Sequence, residues 1–137
     1  MAGEMILIIE DNEKNLKLVR DLLQFNGYRT VEATTAEHGL MLAVEHTPEL
    51  ILMDIQLPDM DGVAALGRLR AEPHTAEIPV VALTAFAMKE DRERFLGAGF
   101  DGYLAKPIDI RAFAEQVRAF VSPGAHPATE PVTREPR

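Results

Sequence analysis

Five short apolar runs punctuate the chain, and polar segments with apolar residues at helical spacing separate them. The first run, Met5-Ile6-Leu7-Ile8-Ile9, ends in Glu10-Asp11-Asn12. Leu16, Val19, Leu22 and Leu23 then share one helical face, with Gly27 in the C′ position that stops a helix. Tyr28 to Ala33 alternates weakly, as a more exposed strand does. Thr34 and Glu37 have capping-box spacing and open a helix through Leu40, Ala43 and Val44 that ends by Pro48. Leu50-Ile51-Leu52-Met53 is apolar throughout and ends in Asp54, with Ile55-Gln56-Leu57-Pro58 as the following loop. Such a run fits a strand buried on both faces, although periodicity alone does not separate it from a buried helical segment.

Asp61-Gly62 introduces a helix carrying Val63, Leu66 and Leu69. Ile78 to Leu83 reads as another buried strand, ending in Thr84-Ala85-Phe86. The charged segment from Lys89 to Leu96 reads as an exposed helix closed by Gly97 and Gly99. Gly102-Tyr103-Leu104-Ala105 is a short last strand before Lys106-Pro107. Asp109 then caps a helix with Ile110, Phe113, Ala114, Val117 and Val121 on one stripe.

This βα order, repeated five times, predicts an α/β fold, a (βα)5 doubly wound parallel sheet with helices on both faces. Right-handed crossovers place every strand's C-terminal end on the same edge. Asp11, Asp54, Thr84 and Lys106 each follow a different strand, so the fold gathers them on one rim. With the strands in the order 2-1-3-4-5, the first and third flank the crevice where such folds keep their sites. The expected domain spans residues 1–121. Four of the nine prolines fall in residues 122–137, where the apolar pattern ends, so this segment reads as a disordered tail or the stump of a linker.

A length of 137 residues suits one domain, and 47% hydrophobic with 26% charged residues is ordinary for a globular chain. Without cysteine there is no disulfide, thiolate metal site or cysteine nucleophile. No apolar run reaches the ~20 residues that span a bilayer, and no secretory signal opens the chain, so the expected location is cytoplasmic with no membrane insertion. A formal charge of −8 argues against nucleic acid as a partner.

Acidity matters more at the rim. Glu10, Asp11 and Asp54 repel one another unless a pKa rises or a cation joins them. Oxygen ligands without His or Cys suit Mg²⁺, with Mn²⁺ as a substitute. A carboxylate beside such an ion can act as a nucleophile toward phosphorus. Lys106, the Thr84 hydroxyl and backbone N–H groups after Asp54 can then meet the phosphoryl oxygens. Each residue has an ordinary alternative: Glu10-Asp11-Asn12, Asp54 and Thr84 as helix caps or loop residues, Lys106 as a surface lysine before a turn proline.

Glu10-Asp11, Asp54 with Pro58 and Gly62, Thr84-Ala85 and Lys106-Pro107, in that order after successive strands, resemble a two-component response-regulator receiver domain over about Met5 to Val121. The resemblance implies the flavodoxin/CheY-like fold and a phosphoryl group accepted on Asp54 from a sensor histidine kinase, a histidine phosphotransferase or a small donor. It implies Mg²⁺ held by Glu10, Asp11, Asp54 and the Gln56 backbone carbonyl. Lys106 then pairs with the phosphoryl group, Thr84 moves inward, and Tyr103 turns from exposed to buried. Tyr103 is otherwise a half-buried strand tyrosine with its hydroxyl in water. Ala85 leaves room for donors, Gln56 and Phe86 tune phosphoryl lifetime, and Pro107 is a cis-peptide candidate. Glu10 departs from the family, where many members carry Asp, which implies altered metal affinity.

Within the family, the strings around Asp54 and Thr84 resemble single-domain regulators of the bacterial cell cycle. With no second domain expected after Val121, output falls to the fourth helix, fifth strand and fifth helix binding a downstream protein, while the first helix helps dock the kinase. A receiver excised from a hybrid kinase and acting as a phosphorelay intermediate is the alternative. An aspartate-nucleophile phosphatase of the haloacid dehalogenase type needs an acid two residues after the nucleophile, where Gln56 stands. A flavodoxin-like nucleotide binder needs a Gly- or Ser/Thr-rich loop in place of Glu10-Asp11-Asn12-Glu13. A degenerate scaffold would not need the complete acid, Thr and Lys set.

Overall fold

A computed structural model of the chain describes residues 3–85 and 89–121; Phe86 and the segment 122–137 lie outside the described residues. The elements run β1 (Met5–Ile9), α1 (Glu13–Phe25), β2 (Arg29–Ala33), α2 (Ala36–His46), β3 (Leu50–Asp54), α3 (Gly62–Ala71), β4 (Val80–Thr84), α4 (Lys89–Ala98), β5 (Gly102–Ala105) and α5 (Ile110–Val121). All strand pairings are parallel, in the order β2-β1-β3-β4-β5. The expected sheet is the observed one.

The apolar runs are continuous because both sheet faces are covered. Ile6, Ile8, Leu50, Leu52, Val81 and Leu83 point to one side, where Leu16, Val19 and Leu23 of α1 and Phe113 and Val117 of α5 meet them. Leu7, Ile9, Ile51, Met53, Val80 and Ala82 point to the other, against Ala36 and Ala43 of α2, Leu66 and Leu69 of α3 and Phe95 of α4. This is the period-two alternation of a strand, with both sets of side chains apolar.

Several local expectations shift. Thr35, rather than Thr34, caps α2, its side chain accepting from the His38 N–H at 3.2 Å. Asp59 from the β3–α3 loop accepts from the Ala36 and Glu37 N–H groups, so two acceptors satisfy this helix start. The fourth strand begins at Val80 instead of Ile78: Pro79 has no N–H for the ladder, the Ile78 N–H donates to the Thr75 carbonyl, and the Ile78 carbonyl accepts from the Arg70 guanidinium at 2.6 Å. Gly97 lies inside α4, and Gly99, at φ +114°, is the residue that turns the chain. Ile110, placed on the buried stripe of α5 by periodicity, is 59% exposed because the stripe starts one turn later at Phe113.

Gly62 opens α3 with no space for a side chain. A Cβ there would stand 2.9 Å from Ile55 Cα, and its N–H already donates to the Ile55 carbonyl at 2.8 Å. Gly62→Ala must therefore displace backbone next to Asp54. The expected cost is about 1–3 kcal/mol, read as a lowered urea midpoint.

Candidate functional site: an acidic cleft at the strand ends

The site is assembled at the carboxyl edge where β1 and β3 lie side by side. Beyond β1, the Glu10 N–H still pairs with the Ala33 carbonyl at 3.0 Å, which keeps the chain in sheet register and buries Glu10 completely. Glu10 Oε2 accepts the Asn12 N–H at 3.1 Å. Asn12 is itself the N-cap of α1, accepting from the Asn15 N–H at 3.0 Å. Asp11 between them is exposed. The capping role weighed for this cluster thus falls to Asn12, and the two acids face the cleft.

Asp54 ends β3, still paired with Leu83 of β4, and is 6% exposed. Its Oδ1 accepts the Gln56 N–H at 3.0 Å. On the other side, the Lys106 N–H donates to the Thr84 carbonyl at 2.8 Å and so prolongs the β4–β5 ladder by one residue. That contact delivers the lysine side chain to the acids. Lys106 Nζ stands 2.9 Å from Glu10 Oε1 and 3.4 Å from Asp54 Oδ2. The Lys106–Pro107 peptide is cis.

A cleft of about 390 Å³ opens over these groups, lined among others by Asp11, Asn15, Gln56, Thr84 and Ala85. Thr84 is buried and Ala85 exposed at its mouth. Glu10, Asp11, Asp54, Thr84 and Lys106 therefore meet in one place. Tyr103 does not line the cleft: it sits half-buried on β5 with its hydroxyl accepting from Arg92 Nη1 of α4 at 3.2 Å. This differs from the hydroxyl in water expected of an ordinary strand tyrosine. Phe86 lies outside the described residues. Asn15 was not anticipated as a lining residue; its only signal is its place one turn after the helix cap.

The electrostatics are unbalanced. Glu10, Asp11 and Asp54 each bring a carboxylate oxygen within 4.8 Å of the others, against the single ammonium of Lys106. Burial raises the pKa of Asp54 above the ordinary carboxylate range; the Gln56 N–H lowers it, the Glu10 charge raises it and Lys106 lowers it. Glu10 Oε1 touches the ammonium without hydrogen-bonding geometry, so a fully buried oxygen has a charge contact and no hydrogen bond. An all-oxygen acidic set with such an oxygen fits a small hard cation.

The pH dependence follows from the raised Asp54 pKa. The folded protein keeps this proton to higher pH than the unfolded chain does, so the group favours folding at low pH. That contribution is lost as pH rises through the folded pKa. At neutral pH without a divalent cation, Asp54→Asn should stabilise the fold by about 1 kcal/mol, or roughly 3–5 °C in Tm, and flatten this part of the stability–pH curve. Thermal melts across acidic to neutral pH check both; a variant less stable than wild type at neutral pH contradicts the charge account.

An acid cluster at the switch point of a five-stranded doubly wound sheet, with a threonine and a lysine delivered by the next two strands, defines a class of signalling domain. Residues 6–118 match the response regulator receiver domain, and the chain belongs to that family of two-component signalling proteins. Among curated relatives it is similar to the polar-differentiation response regulators DivK of Brucella ovis and Brucella abortus. With each it is 44% identical over 116 residues, covering 85% of this chain and 94% of the relative. Among solved structures it resembles the receiver domain of the sensor histidine kinase PA1611 from Pseudomonas aeruginosa, described with a magnesium ion coordinated in its active-site cleft. That likeness has a TM-score of 0.81 at 34% identity over 88% of this chain and 99% of the other. The chemotaxis response regulator CheY4 of Vibrio cholerae shares the fold, with a TM-score of 0.82 at 21% identity over 87% of this chain and 99% of that one. Among the described residues no helix is long and apolar enough to cross a membrane.

Proposed function

We propose that this protein is a phosphorylation-dependent switch in which Asp54 accepts a phosphoryl group from a phosphohistidine and the α4-β5-α5 face carries the signal to a partner protein. One observation carries the reading. The buried Asp54 carboxylate is held by the Gln56 N–H on one oxygen and faced by Lys106 on the other, at the floor of an acidic cleft.

In the reaction an Asp54 carboxylate oxygen attacks phosphorus. The phosphorus–nitrogen bond of the donor breaks, an acyl phosphate forms, and the histidine leaves with a proton taken up at its nitrogen. Lys106 neutralises phosphoryl oxygens, Thr84 offers its hydroxyl from β4, and Ala85 leaves the approach open. Glu10, Asp11, Asp54 and the Gln56 carbonyl are the groups that would hold Mg²⁺, with Mn²⁺ able to substitute; the ion supplies charge neutralisation at the transferred group. The site thus assists its own phosphorylation and dephosphorylation while acting as a signalling domain rather than an enzyme on other substrates.

The 44% likeness to DivK over 94% of that relative supports a DivK-like role in cell-cycle signalling. The likeness to the PA1611 receiver supports, more weakly, a phosphorelay role within a kinase system. Incubation with a phosphorylated histidine phosphotransfer domain tests the proposal. Label should move to this chain with Mg²⁺ or Mn²⁺ and remain on the donor with EDTA; label that never moves under either condition contradicts it.

A further inference from the structure

Helix α4 opens with six charged residues, and Phe95 is the one described residue in it that is buried. Arg92 lies one turn earlier, on the same side as Phe95, because residues three apart share a helix face. Anchoring Phe95 in the core therefore turns Arg92 toward β5. There its Nη1 donates to the Tyr103 hydroxyl at 3.2 Å, and its guanidinium carbon lies 5.9 Å from the ring centroid. One side chain thus holds the tyrosine at its polar tip, with its cation at the outer limit of reach of the ring.

The strand register gives this contact a consequence. Tyr103 stands opposite Ala82, and Ala105 opposite Thr84. Thr84 and Tyr103 therefore occupy the same sheet face on adjacent strands, one diagonal step apart. Any inward shift of Thr84 and rotation of Tyr103 would have to break the hydrogen bond from Arg92.

We infer that Arg92 is a positioning residue, a latch that holds Tyr103 by its hydroxyl on α4 and biases the domain against its phosphorylated state. This rests on the proposed acceptance of a phosphoryl group at Asp54. A contact made only in the resting arrangement stabilises that arrangement, and by linkage its removal favours phosphorylation by the same factor. Loss of the contact with the Tyr103 hydroxyl should raise the initial rate of phosphorylation by acetyl phosphate about threefold to tenfold, the order of one hydrogen bond to a charged group.

The chain has two tyrosines, and the buried Tyr28 serves as an internal reference. Ring-labelled tyrosine NMR of the unphosphorylated protein is the first readout. Arg92→Ala should move the Tyr103 signals and leave Tyr28 in place, with Arg92→Lys intermediate because it keeps charge but loses the planar fork. The second readout is the rate with acetyl phosphate, which should rise in Arg92→Ala and change less than about twofold when the same substitution is made in Tyr103→Phe. Unchanged Tyr103 signals, or a rate increase of equal size in the Tyr103→Phe background, overturn the latch. The NMR comparison uses resting protein, so it reads the latch even if wild type takes up no phosphoryl group, an outcome that would instead refute the reading of Asp54.

Discussion

Asp54→Asn should take up no phosphoryl group from acetyl phosphate or from a phosphohistidine donor while remaining folded. The physical basis is narrow. An amide oxygen is a far weaker nucleophile than a carboxylate, and no neighbouring acid occupies an equivalent position. Glu10 has one oxygen on the Asn12 N–H and the other on Lys106, and Asp11 is exposed, without the burial of Asp54. Loss of function through misfolding is separable here, because the same substitution removes a buried charge and is expected to stabilise the metal-free domain. A variant that melts higher than wild type yet accepts no phosphoryl group is the combined signature. Uptake by Asp54→Asn at the wild-type rate would move the phosphoacceptor elsewhere.

Lys106→Met should produce the second large effect, with the opposite consequence for stability. The ammonium is the single cation in contact with both Glu10 and Asp54 among the described ion pairs. Removing one member of a buried charge group leaves the remainder uncompensated, which costs about 3–5 kcal/mol when burial is complete. Lys106 retains 17% side-chain exposure, so a loss of roughly 2–4 kcal/mol is expected without divalent cation. Saturating Mg²⁺ should recover much of that loss, since a ligand that binds only the folded state stabilises it. Phosphorylation should fall about 100-fold even with Mg²⁺, the order expected when one donor to a developing anion is deleted. Urea denaturation with and without Mg²⁺, alongside initial rates, checks both parts. Equal destabilisation in the two conditions would assign Lys106 a packing role only.

These effects depend on placement that was partly readable in the residues. The central strands β1, β3 and β4 are legible because each is buried on both faces and so carries an uninterrupted apolar run, Leu50 to Met53 most clearly, whereas β2 and β5 are partly exposed. Parallel pairing and chain order then brought Glu10, Asp54, Thr84 and Lys106 to one edge without any knowledge of side-chain contacts. Helix boundaries were less legible where two residues could do the same job. Thr34 and Thr35 are both competent caps, and the choice of Thr35 accompanies the carboxylate of Asp59, which arrives from a loop 22 residues beyond Glu37. The start of β4 lies two residues later than its apolar run suggests, where Ile78 is engaged by Thr75 and by the distant Arg70 guanidinium.

What the sequence could not carry is geometry set by long side chains. Nothing in the spacing indicates that Lys106 lies closer to Glu10 than to Asp54, nor that Arg92 reaches Tyr103. Helix α4 buries Phe95 alone among its described residues, and the facing of Arg92 follows from that anchor. The Lys106–Pro107 isomer was likewise a family expectation, and the peptide is cis.

The central claim is that Asp54 is the acceptor in a cation-dependent phosphoryl transfer. The most direct measurement is intact mass after incubation with acetyl phosphate, with Mg²⁺ or with EDTA, followed by borohydride reduction and peptide mapping of the adduct. One added phosphoryl group that requires Mg²⁺, is labile to hydroxylamine and maps to Asp54 is the predicted result. An adduct on another residue, or no adduct while Mg²⁺ measurably binds the cleft, would contradict the account.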